Sequence, residues 1–439
     1  MKILILDPER NVSHRISKDT SGGYGTGNDF GDTLIPKYLK KILKLVHDWP
    51  AMFAIYSMSV LKKNGNEVYY EKKIPNNYKE YDLFIVVSSI VCCETECDYI
   101  KKIVDLKKKI FVIGPFATTN PKKYIEAGGT VISGEPEFYF LKNKNLELIN
   151  HNQIINFDHN FELDDLPYPD WESVIKNNKT SLLFGIEKSL PILATRGCPY
   201  SCFKYCVYPL QQGRKPRHRE VKNIVDELEH WNKKLNIKMF IFRDPVFSIN
   251  RKHTIEFCNE LINRNLKIRF VIETHLRILD SELIILLKKA GLKAVKVGVE
   301  SGDPEVLKDA NRFTIKKDDQ LTKIRELEKN NILISSMFII GFPTDTEESV
   351  MKTINYSKKL NTTFAQFSVW TPYPGTPVFK EFEDKITADK FEKFDQYNLV
   401  FKHKIFTPEK VRFLLSKSYT KYYGRLNWFL KFLKNSFLA

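Results

Sequence analysis

The sequence lacks any apolar run long enough to cross a membrane. Its longest, LFIVVSSIVCC at residues 83–93, is too short to span a bilayer as a helix and is typical of a buried parallel strand. The N-terminal segment, MKILILDP, lacks the basic region, long apolar stretch and small-residue cleavage site of a signal peptide. We therefore expect a cytoplasmic protein with no transmembrane helix.

The chain also lacks the composition of a disordered protein. Its 439 residues are 43% hydrophobic and 28% charged, which is typical of a globular protein with two or three domains. Lysine and arginine outnumber aspartate and glutamate by 69 to 53, and the net charge of +16 suits nucleic acid, an anionic membrane surface or a phosphorylated substrate. The lysines are scattered beside glutamates and are not interleaved with stacking aromatics, which favours a solvated surface over nucleic-acid binding.

A fourth metal ligand is missing from the cysteine-rich stretch ATRGCPYSCFKYCVYP at 194–209. Cys198, Cys202 and Cys206 lie within nine positions, without a nearby Cys or His pair that would complete a structural zinc site. A [4Fe–4S] cluster held by three cysteines leaves one iron free to bind a substrate or cofactor. This interpretation is favoured over a zinc site completed from far along the chain and over a buried thiol cluster. Such a site suits a reducing compartment and would be damaged by oxygen.

Strand-like and helix-like segments alternate from residue 1 to about 140. This alternation predicts a doubly wound parallel sheet, whose ligands bind at the carboxyl ends of the strands. The glycine loop SGGYGTGND at 21–29 neither follows a strand directly nor opens a helix, so a lid or substrate loop is favoured over a phosphate loop. Cys92, Cys93 and Cys97 are interpreted as small buried hydrophobes, with a second metal site as the alternative.

A second series of strands and helices begins near residue 190. Six strands, starting near 191, 238, 268, 294, 332 and 364, alternate with amphipathic helices and predict an open, partial (β/α)6 barrel. The three cysteines follow the first of these strands, at the rim where barrel enzymes place their chemistry. The predicted organisation is a doubly wound domain at 1–145, a linker at 146–188, the partial barrel at 189–385 and a helical region at 386–439.

The helical C-terminal region is rich in aromatic residues and ends RLNWFLKFLKNSFLA. It could cap the barrel, line a substrate pocket or lie at a membrane interface with Lys431 and Lys434 toward head groups. Packing against the protein is the favoured interpretation.

Several segments together resemble one family, the radical S-adenosylmethionine (SAM) superfamily, in the branch with an N-terminal cobalamin-binding domain. They are RGCPYSC, YCVYPLQQGR, GVESGDPEVLKDANR and FIIGFPTDT in the barrel, the linker LDDLPYPDW, and GPFATTNPKKYIEAGGTVISGEPEF before it. The similarity covers about residues 80–380. Two details differ from the family: three residues rather than two separate Cys202 from Cys206, and Ile113 replaces a glycine.

The resemblance implies that Cys198, Cys202 and Cys206 hold a [4Fe–4S] cluster whose free iron binds SAM. It implies a SAM pocket formed by Tyr205, Glu273, Arg277, Gly298, Glu300, Ser301 and Gly341. It implies cobalamin contacts from the strand-end residues Ser88, Ser89, Gly114, Pro115, Thr118, Ser133, Gly134 and Glu135. The sequence has no Asp-x-His-x-x-Gly run, so cobalamin is expected to bind without a protein histidine on cobalt.

The activity that the resemblance implies is reductive cleavage of SAM, with cobalamin-dependent methylation of an unactivated carbon. Radical oxidation, cyclisation or rearrangement without methyl transfer is one alternative, and a degenerate cobalamin-binding module is another. The implied partners are a small-molecule, lipid-like or sugar-like substrate and an electron donor such as flavodoxin or ferredoxin. Basic residues at 214–219, close to the cysteines, and the aromatic turn WTPYPGTP at 370–377 are further candidates for substrate contacts.

Overall fold

The computed structural model describes residues 1–45, 49–146, 152–156, 161–175, 188–312 and 315–437. Two six-stranded parallel sheets form its framework. The first region contains β1 (Lys2–Leu6), β2 (Ile16–Ser17), β3 (Thr26–Gly27), β4 (Glu67–Glu71), β5 (Leu83–Val87), β6 (Lys109–Ile113), β7 (Thr130–Ile132) and β8 (Ile154–Ile155). Its helices are α1 (Leu34–Leu45), α2 (Met52–Lys63), α3 (Cys93–Asp105), α4 (Pro115–Thr119), α5 (Pro121–Glu126), α6 (Pro136–Lys142) and α7 (Trp171–Ile175).

The first sheet has the order β4-β1-β5-β6-β7-β8, with every neighbouring pair parallel. Alternate residues of β5 face opposite hydrophobic cores: Ile85 packs with residues of α2, and Phe84 packs with residues of α3 and α5. Every residue of this strand is buried because helices cover both faces of the sheet. Each such large apolar side chain contributes roughly 1.5–3 kcal/mol when fully buried.

The predicted linker at 146–188 contains more regular structure than expected. Ile154 and Ile155 pair with β7 and add the edge strand of the first sheet. Trp171 is fully buried and packs edge-to-face against Trp49, with ring centroids 5.8 Å apart. A two-residue strand is too short to show an alternating pattern, so no sequence signal predicted it. Residues 147–151, 157–160 and 176–187 of this segment lie outside the described residues.

The second sheet consists of six parallel strands in chain order, and β9 and β16 form its edges within the described residues. The strands of this region are β9 (Ser189–Ile192), β10 (Thr195–Arg196), β11 (Arg217–His218), β12 (Met239–Phe242), β13 (Arg269–Glu273), β14 (Leu292–Glu300), β15 (Leu333–Ile340) and β16 (Phe364–Val369), with β10 and β11 forming a separate small ladder. The helices are α8 (Tyr208–Gln212), α9 (Val221–Leu235), α10 (Arg251–Asn263), α11 (Ser281–Ala290), α12 (Pro304–Asp309), α13 (Lys317–Lys329), α14 (Glu347–Leu360) and α15 (Pro377–Phe382). The predicted α/β fold class, a doubly wound sheet followed by a partial (β/α)6 barrel, is confirmed.

Local signals account for the helix limits in the barrel. Asp280 caps α11, because its carboxylate accepts a hydrogen bond from the backbone N–H of Leu283 (2.8 Å). Ser281 is the first residue of the helix. Gly291 ends the helix with φ of 112°, a left-handed conformation that glycine adopts without strain.

The C-terminal region is helical, with α16 (Pro408–Tyr423) and α17 (Leu426–Phe437). The Tyr419 hydroxyl donates to the carbonyl of Phe367 (2.9 Å), and the Tyr423 hydroxyl donates to that of Ala365 (2.7 Å). These bonds hold α16 along β16 and cover the edge of the second sheet. Across the described part of the chain, every helix is too short or too polar to pass through a bilayer.

Candidate active site

A cavity of about 1620 Å³ extends from the cysteine loop at the carboxyl ends of the second sheet to Arg269, Leu333 and Phe364, the first residues of β13, β15 and β16. Its volume exceeds the roughly 300–1,000 Å³ of a typical small-molecule pocket, so it has room for more than one ligand. Its lining includes all three clustered cysteines, Cys198, Cys202 and Cys206, and the aromatic residues Trp370 and Tyr373 of the 370–377 turn.

The cysteine loop is shaped by close backbone contacts. Gly197 has φ of 91°, and a Cβ there would clash with the carbonyl oxygen of Lys215. The N–H of Cys206 donates to the carbonyl of Cys202 (2.9 Å), so the extra residue is taken up in a tight turn. The Cys206 thiol hydrogen-bonds to the Cys202 sulfur and, with the nearby Arg312 guanidinium, lowers the pKa of Cys202 to about 7. A lower pKa favours the thiolate, the form that binds metal.

The three thiols fit an iron–sulfur cube better than a single metal ion. Among the described residues, no group of three or more His, Cys, Asp or Glu side chains is gathered closely enough to hold one ion. Zinc would need four ligands, each within about 2.0–2.3 Å of the metal. In a cube each thiolate binds a different iron, so three cysteines that line one cavity can hold it, and the hydrogen-bonded sulfurs of Cys202 and Cys206 would separate to reach two irons. The donor set lining this cavity therefore suits a [4Fe–4S] cluster held by Cys198, Cys202 and Cys206.

Glu300 ends β14 in a strained conformation beside the cysteines. Its φ of 64° is unusual for a residue with a side chain, and the register of β14 against β15 shifts between Gly298 and Glu300. The Arg312 Nη2 atom lies 3.1 Å from Glu300 Oε1 and donates to the Gly298 carbonyl (3.3 Å). A Cβ at 298 would collide with the Glu300 carboxylate. The glycine therefore makes room for this ion pair.

Arg312 links the carboxylate to the cysteine loop, because its Nη1 atom also lies 3.8 Å from the Cys202 sulfur. The predicted site residues did not include Arg312. It follows α12 in the chain, and only the packing of that helix brings it to the cysteines. Its position at the end of the segment GVESGDPEVLKDANR was the one available signal.

A polar wall lies further along the same cavity. Glu273 and Lys296 are direct neighbours across β13 and β14, and both line the cavity. Burial lowers the pKa of Lys296 to about 8 and raises the pKa of Glu273. Arg243, also in the lining, is held by Asp19 through a hydrogen bond from its Nε atom (2.6 Å). These side chains can position a polar substrate group or exchange a proton with it.

The residues predicted to bind SAM occupy different positions. Tyr205, Gly298, Glu300 and Glu273 all line the cavity. The Tyr205 ring also packs edge-to-face on Phe342. Ser301 is buried behind the wall, and its hydroxyl is hydrogen-bonded to that of Thr353 (3.0 Å). Gly341 follows β15 with φ of 75° and faces Val369 and Val411, while Arg277 is exposed; neither contributes to the cavity lining. The assignment of these residues to SAM stays a prediction.

The residues predicted to bind cobalamin lie at the carboxyl ends of the first sheet, and this edge is covered by the chain itself. Ser88 and Ser89 are fully buried, and the Ser88 hydroxyl accepts from the backbone N–H of Ala117 (3.1 Å). The Ser89 hydroxyl donates to buried Glu96 (2.8 Å). Glu135 forms ion pairs with Arg196 (2.5 Å) and Arg217 (2.7 Å). The other predicted contacts at this edge are Gly114, Pro115, Thr118, Ser133 and Gly134. None of the eight lines the large cavity.

The glycine loop is the main cover of this edge. A Cβ at Gly23 would lie 2.9 Å from the side chain of Pro115, so the backbone fits only as glycine. The Tyr24 hydroxyl donates to the carbonyl of Pro374 (2.9 Å) and hydrogen-bonds to Thr119 (2.7 Å). The loop is therefore packed between the two sheets. The packed part of this segment, residues 20–27, is called loop 20–27 below. Its residues Thr20, Ser21 and Thr26, and the adjacent Asn28, line the large cavity.

The remaining candidates have structural partners. Arg219 is paired with buried Glu227 (2.6 Å), and Arg214 donates to the carbonyl of Pro199 (2.6 Å), so the basic segment at 214–219 is not a free anion site. Cys92, Cys93 and Cys97 are buried, and burial raises the pKa of each thiol. Neutral thiols packed among apolar side chains agree with the interpretation of these three as small hydrophobes.

Comparisons with known proteins agree with this geometry. The family model of the radical SAM superfamily matches residues 192–357. Bacteriochlorophyllide d C-12(1)-methyltransferase of Chlorobaculum tepidum is 30% identical over 56% of this chain and 57% of that protein. Anaerobic magnesium-protoporphyrin IX monomethyl ester cyclase of Cereibacter sphaeroides is 30% identical over 58% of this chain and 42% of that protein. The chain thus spans 57% and 42% of the length of these two relatives.

A solved structure shares nearly the whole fold. The radical SAM methyltransferase TsrM of Kitasatospora setae, solved with cobalamin and a [4Fe–4S] cluster bound, aligns with a TM-score of 0.63 at 15% identity. The alignment covers 97% of this chain and 89% of TsrM, so the order of the doubly wound sheet and the partial barrel is common to both. The segment 192–357, which begins just before the three-cysteine loop, is therefore a radical SAM domain.

Proposed function

We propose that this protein is a radical SAM enzyme that methylates an unactivated carbon of a small-molecule substrate. The observation that carries the proposal is the convergence of Cys198, Cys202 and Cys206 with the Arg312–Glu300 pair on one large cavity. When bound, the cluster and SAM supply a one-electron cleavage that yields a carbon-centred radical able to abstract hydrogen.

The residues around the cysteines have defined roles in this proposal. The three thiolates hold the cluster, and Arg312 offsets negative charge next to Cys202. Glu300, held by Arg312, presents its carboxylate as an acceptor for the amine or hydroxyl groups of SAM. Tyr205 contributes an aromatic wall to the same space. Lys296 and Glu273 lie along the cavity, where they can orient a polar group of the substrate.

Support for methyl transfer comes from the relatives, which include a methyltransferase by name and a cobalamin-bound methyltransferase of the same fold. The strand-end residues predicted for cobalamin do not form an open site, because loop 20–27 packs on Pro115, and Arg196 and Arg217 pair with Glu135. This specific observation favours a second candidate, radical oxidation, cyclisation or rearrangement without cobalamin. A ring-forming cyclase is also among the relatives. The electron donor is proposed to be a flavodoxin or ferredoxin.

Anaerobic reconstitution with iron and sulfide tests the proposal. We expect a cubane absorption and electron paramagnetic resonance signal, and formation of 5′-deoxyadenosine or S-adenosylhomocysteine when SAM and a reductant are added. The variant with all three cysteines changed to alanine should lose the cluster, whereas Cys97→Ala should keep it. If the wild type forms no cluster, or forms one but cleaves no SAM, the proposed activity is rejected. The alternative of a degenerate cobalamin-binding module is then supported.

The two candidate activities are separated by cobalamin retention. Methylcobalamin that stays bound through gel filtration, and transfer of a labelled methyl group from SAM to substrate, support methylation. Substrate-dependent 5′-deoxyadenosine formation by protein that retains no cobalamin supports the second candidate.

A further inference from the structure

Two amphipathic helices flank the apolar end of the large cavity. Helix α1 comes from the first region and α17 from the C-terminal region, and both contribute side chains to the lining. These lining residues are Ile35, Leu39 and Leu43 of α1, and Trp428, Phe429 and Phe432 of α17. One continuous space therefore runs from these helices to the cysteines. The part of this space next to α1 and α17 is lined mainly by apolar side chains. The part next to the cysteines contains the polar residues already described.

The same helices expose large apolar side chains to the surroundings. On α1, Leu34 and Tyr38 have 83% and 66% of their surface exposed, one helical turn apart, and both, like Ile42 on the next turn, also line the mouth of the cavity. On α17, Leu426 and Leu430 have 71% and 55% exposed, with the same spacing. Ile42 and Leu433 extend the two stripes. Exposed apolar side chains in such continuous rows mark a surface that is covered in function.

The charges on both helices have one sign. The α1 sequence LIPKYLKKILKL has four lysines and no acidic residue, and LNWFLKFLKNSF of α17 has two lysines and no acidic residue. Lys40 pairs with Asp29 (2.6 Å) and Lys431 pairs with Glu328. Lys37, Lys41 and Lys434 are exposed and make no ion pair within the described residues. Lysines beside exposed leucine, tyrosine and phenylalanine are typical of helices that lie in a membrane interface.

We propose that α1 and α17 lie on an anionic lipid bilayer and that the substrate is a membrane lipid whose hydrocarbon chain enters the cavity between them. The proposal deepens the radical SAM function proposed above and depends on it for the reaction at the chain. The lipid headgroup would stay at the surface near Lys37, Lys41 and Lys434, while the chain passes Trp428 and Phe429 toward the cysteines.

A second copy of this chain is a weaker occupant of the same surface. A symmetric dimer would bring α1 and α17 against their own copies, and so bring like-charged lysines together across an apolar contact. It would also close the mouth of the cavity. An anionic bilayer instead complements the lysines, accepts the apolar rows and leaves the mouth facing a supply of hydrocarbon chains.

Vesicle sedimentation of the full chain tests the docking surface. We expect binding to phosphatidylglycerol vesicles, at least about tenfold weaker binding to phosphatidylcholine vesicles, and a marked loss in 0.5 M salt. Leu430→Asp should weaken binding about tenfold or more, whereas Ile285→Asp, at a residue 59% exposed on α11, should not. Equal vesicle binding by the wild type and Leu430→Asp would overturn the proposal. So would a wild-type dimer that does not bind vesicles and that dissociates in the Leu430→Asp variant.

Quenching by brominated lipid tests entry into the cavity. Phosphatidylglycerol with bromine deep in its chains should quench tryptophan emission of the wild type, and Trp428→Phe should remove much of this quenching. Trp231→Phe, which alters a buried tryptophan of α9, should leave it in place. Quenching that is the same in Trp428→Phe would contradict entry at this mouth. Neither assay needs turnover. Cluster formation and SAM cleavage without lipid binding would reject only this inference. Lipid binding without a cluster would reject the proposed function and the lipid as its substrate, and would leave only the docking surface.

Discussion

Both sheets of this protein are parallel, and both have their carboxyl ends toward the middle of the molecule. They differ in whether those ends are accessible, because one borders an open cavity and the other is covered. The second sheet opens onto a cavity of about 1620 Å³ bordered by the cysteine loop, Glu300 and Arg312. The first sheet ends beneath loop 20–27, where Gly23 touches Pro115 and Tyr24 bonds to Pro374. The comparison shows that strand topology offers a site, and that the connecting segments decide whether the site is open.

The largest effect is expected at the open end. Changing Cys198, Cys202 or Cys206 singly to alanine should reduce SAM cleavage about a thousandfold or more, because a cube with a missing ligand is not retained. Product analysis and iron quantification measure the loss. Cys97→Ala, which removes a buried thiol of the first region, should cleave SAM at the wild-type rate, and equal losses in all four variants would indicate a general folding defect instead.

A smaller effect on activity is expected from the ion pair behind the cysteines. Arg312→Met should lower SAM cleavage by about 30- to 100-fold, since Glu300 would remain buried without its cation. Arg325→Met, which breaks a partly exposed pair with Glu328 (2.7 Å), is the control and should change activity less than twofold. An Arg312→Met enzyme with wild-type turnover would show that the pair only supports the fold.

The closed end can be probed through stability. Gly23→Ala should lower the free energy of unfolding by about 2 kcal/mol more than Gly65→Ala does. Both glycines have a left-handed φ, 91° and 86°, but Gly23 meets Phe53 and Pro115 whereas Gly65 has open space around it. Denaturant unfolding of the two variants gives the difference. If Gly23→Ala and Gly65→Ala lower the free energy of unfolding equally, loop 20–27 can move at little energetic cost. The carboxyl ends of the first sheet could then become accessible to a ligand.

The smallest expected effect concerns Lys296. Burial lowers its pKa from 10.5 to about 8, so the folded state binds its proton more weakly than the unfolded chain does. The cost of burying the charge is therefore fully present below about pH 8 and disappears as the pH rises to 10.5. Lys296→Met should raise the free energy of unfolding by about 1 kcal/mol at pH 7 and by much less near pH 10. Lys101→Met, at an exposed position, is the control and should change the free energy of unfolding by less than about 0.5 kcal/mol.

The sequence predicted the parts of this fold that local pattern determines. The apolar runs gave each long strand of both sheets, and the cysteine spacing identified the loop that borders the cavity. Three results depend on packing between distant segments and were outside its reach. Arg312 reaches the cysteines only through the placement of α12, Ser301 turns inward to Thr353, and the two-residue strand β8 exists only as a partner of β7.

The burial of the predicted cobalamin contacts has the same cause. Ser88, Gly114 and Glu135 are at strand ends, as their positions in the pattern indicated. Whether those ends are accessible depends on loop 20–27, which packs on Pro115, and on Arg196 and Arg217, which pair with Glu135. These segments lie 60 residues or more away in the chain and carry no local sign of where they pack. A pattern of strands and helices determines where a ligand could bind, and long-range contacts determine what occupies that place.

The left-handed backbone at Glu300 implies a compromise between durability and chemistry. Holding a residue with a side chain in this region costs on the order of 1–2 kcal/mol, which the surrounding barrel must offset. Glycine at 300 would relieve the strain and give a sturdier protein that has lost the carboxylate beside the cysteines. The barrel thus retains a strained residue at the end of one strand, and this places an acidic group in the cavity. We expect variants selected only for heat resistance to lose the strained conformation and the carboxylate with it.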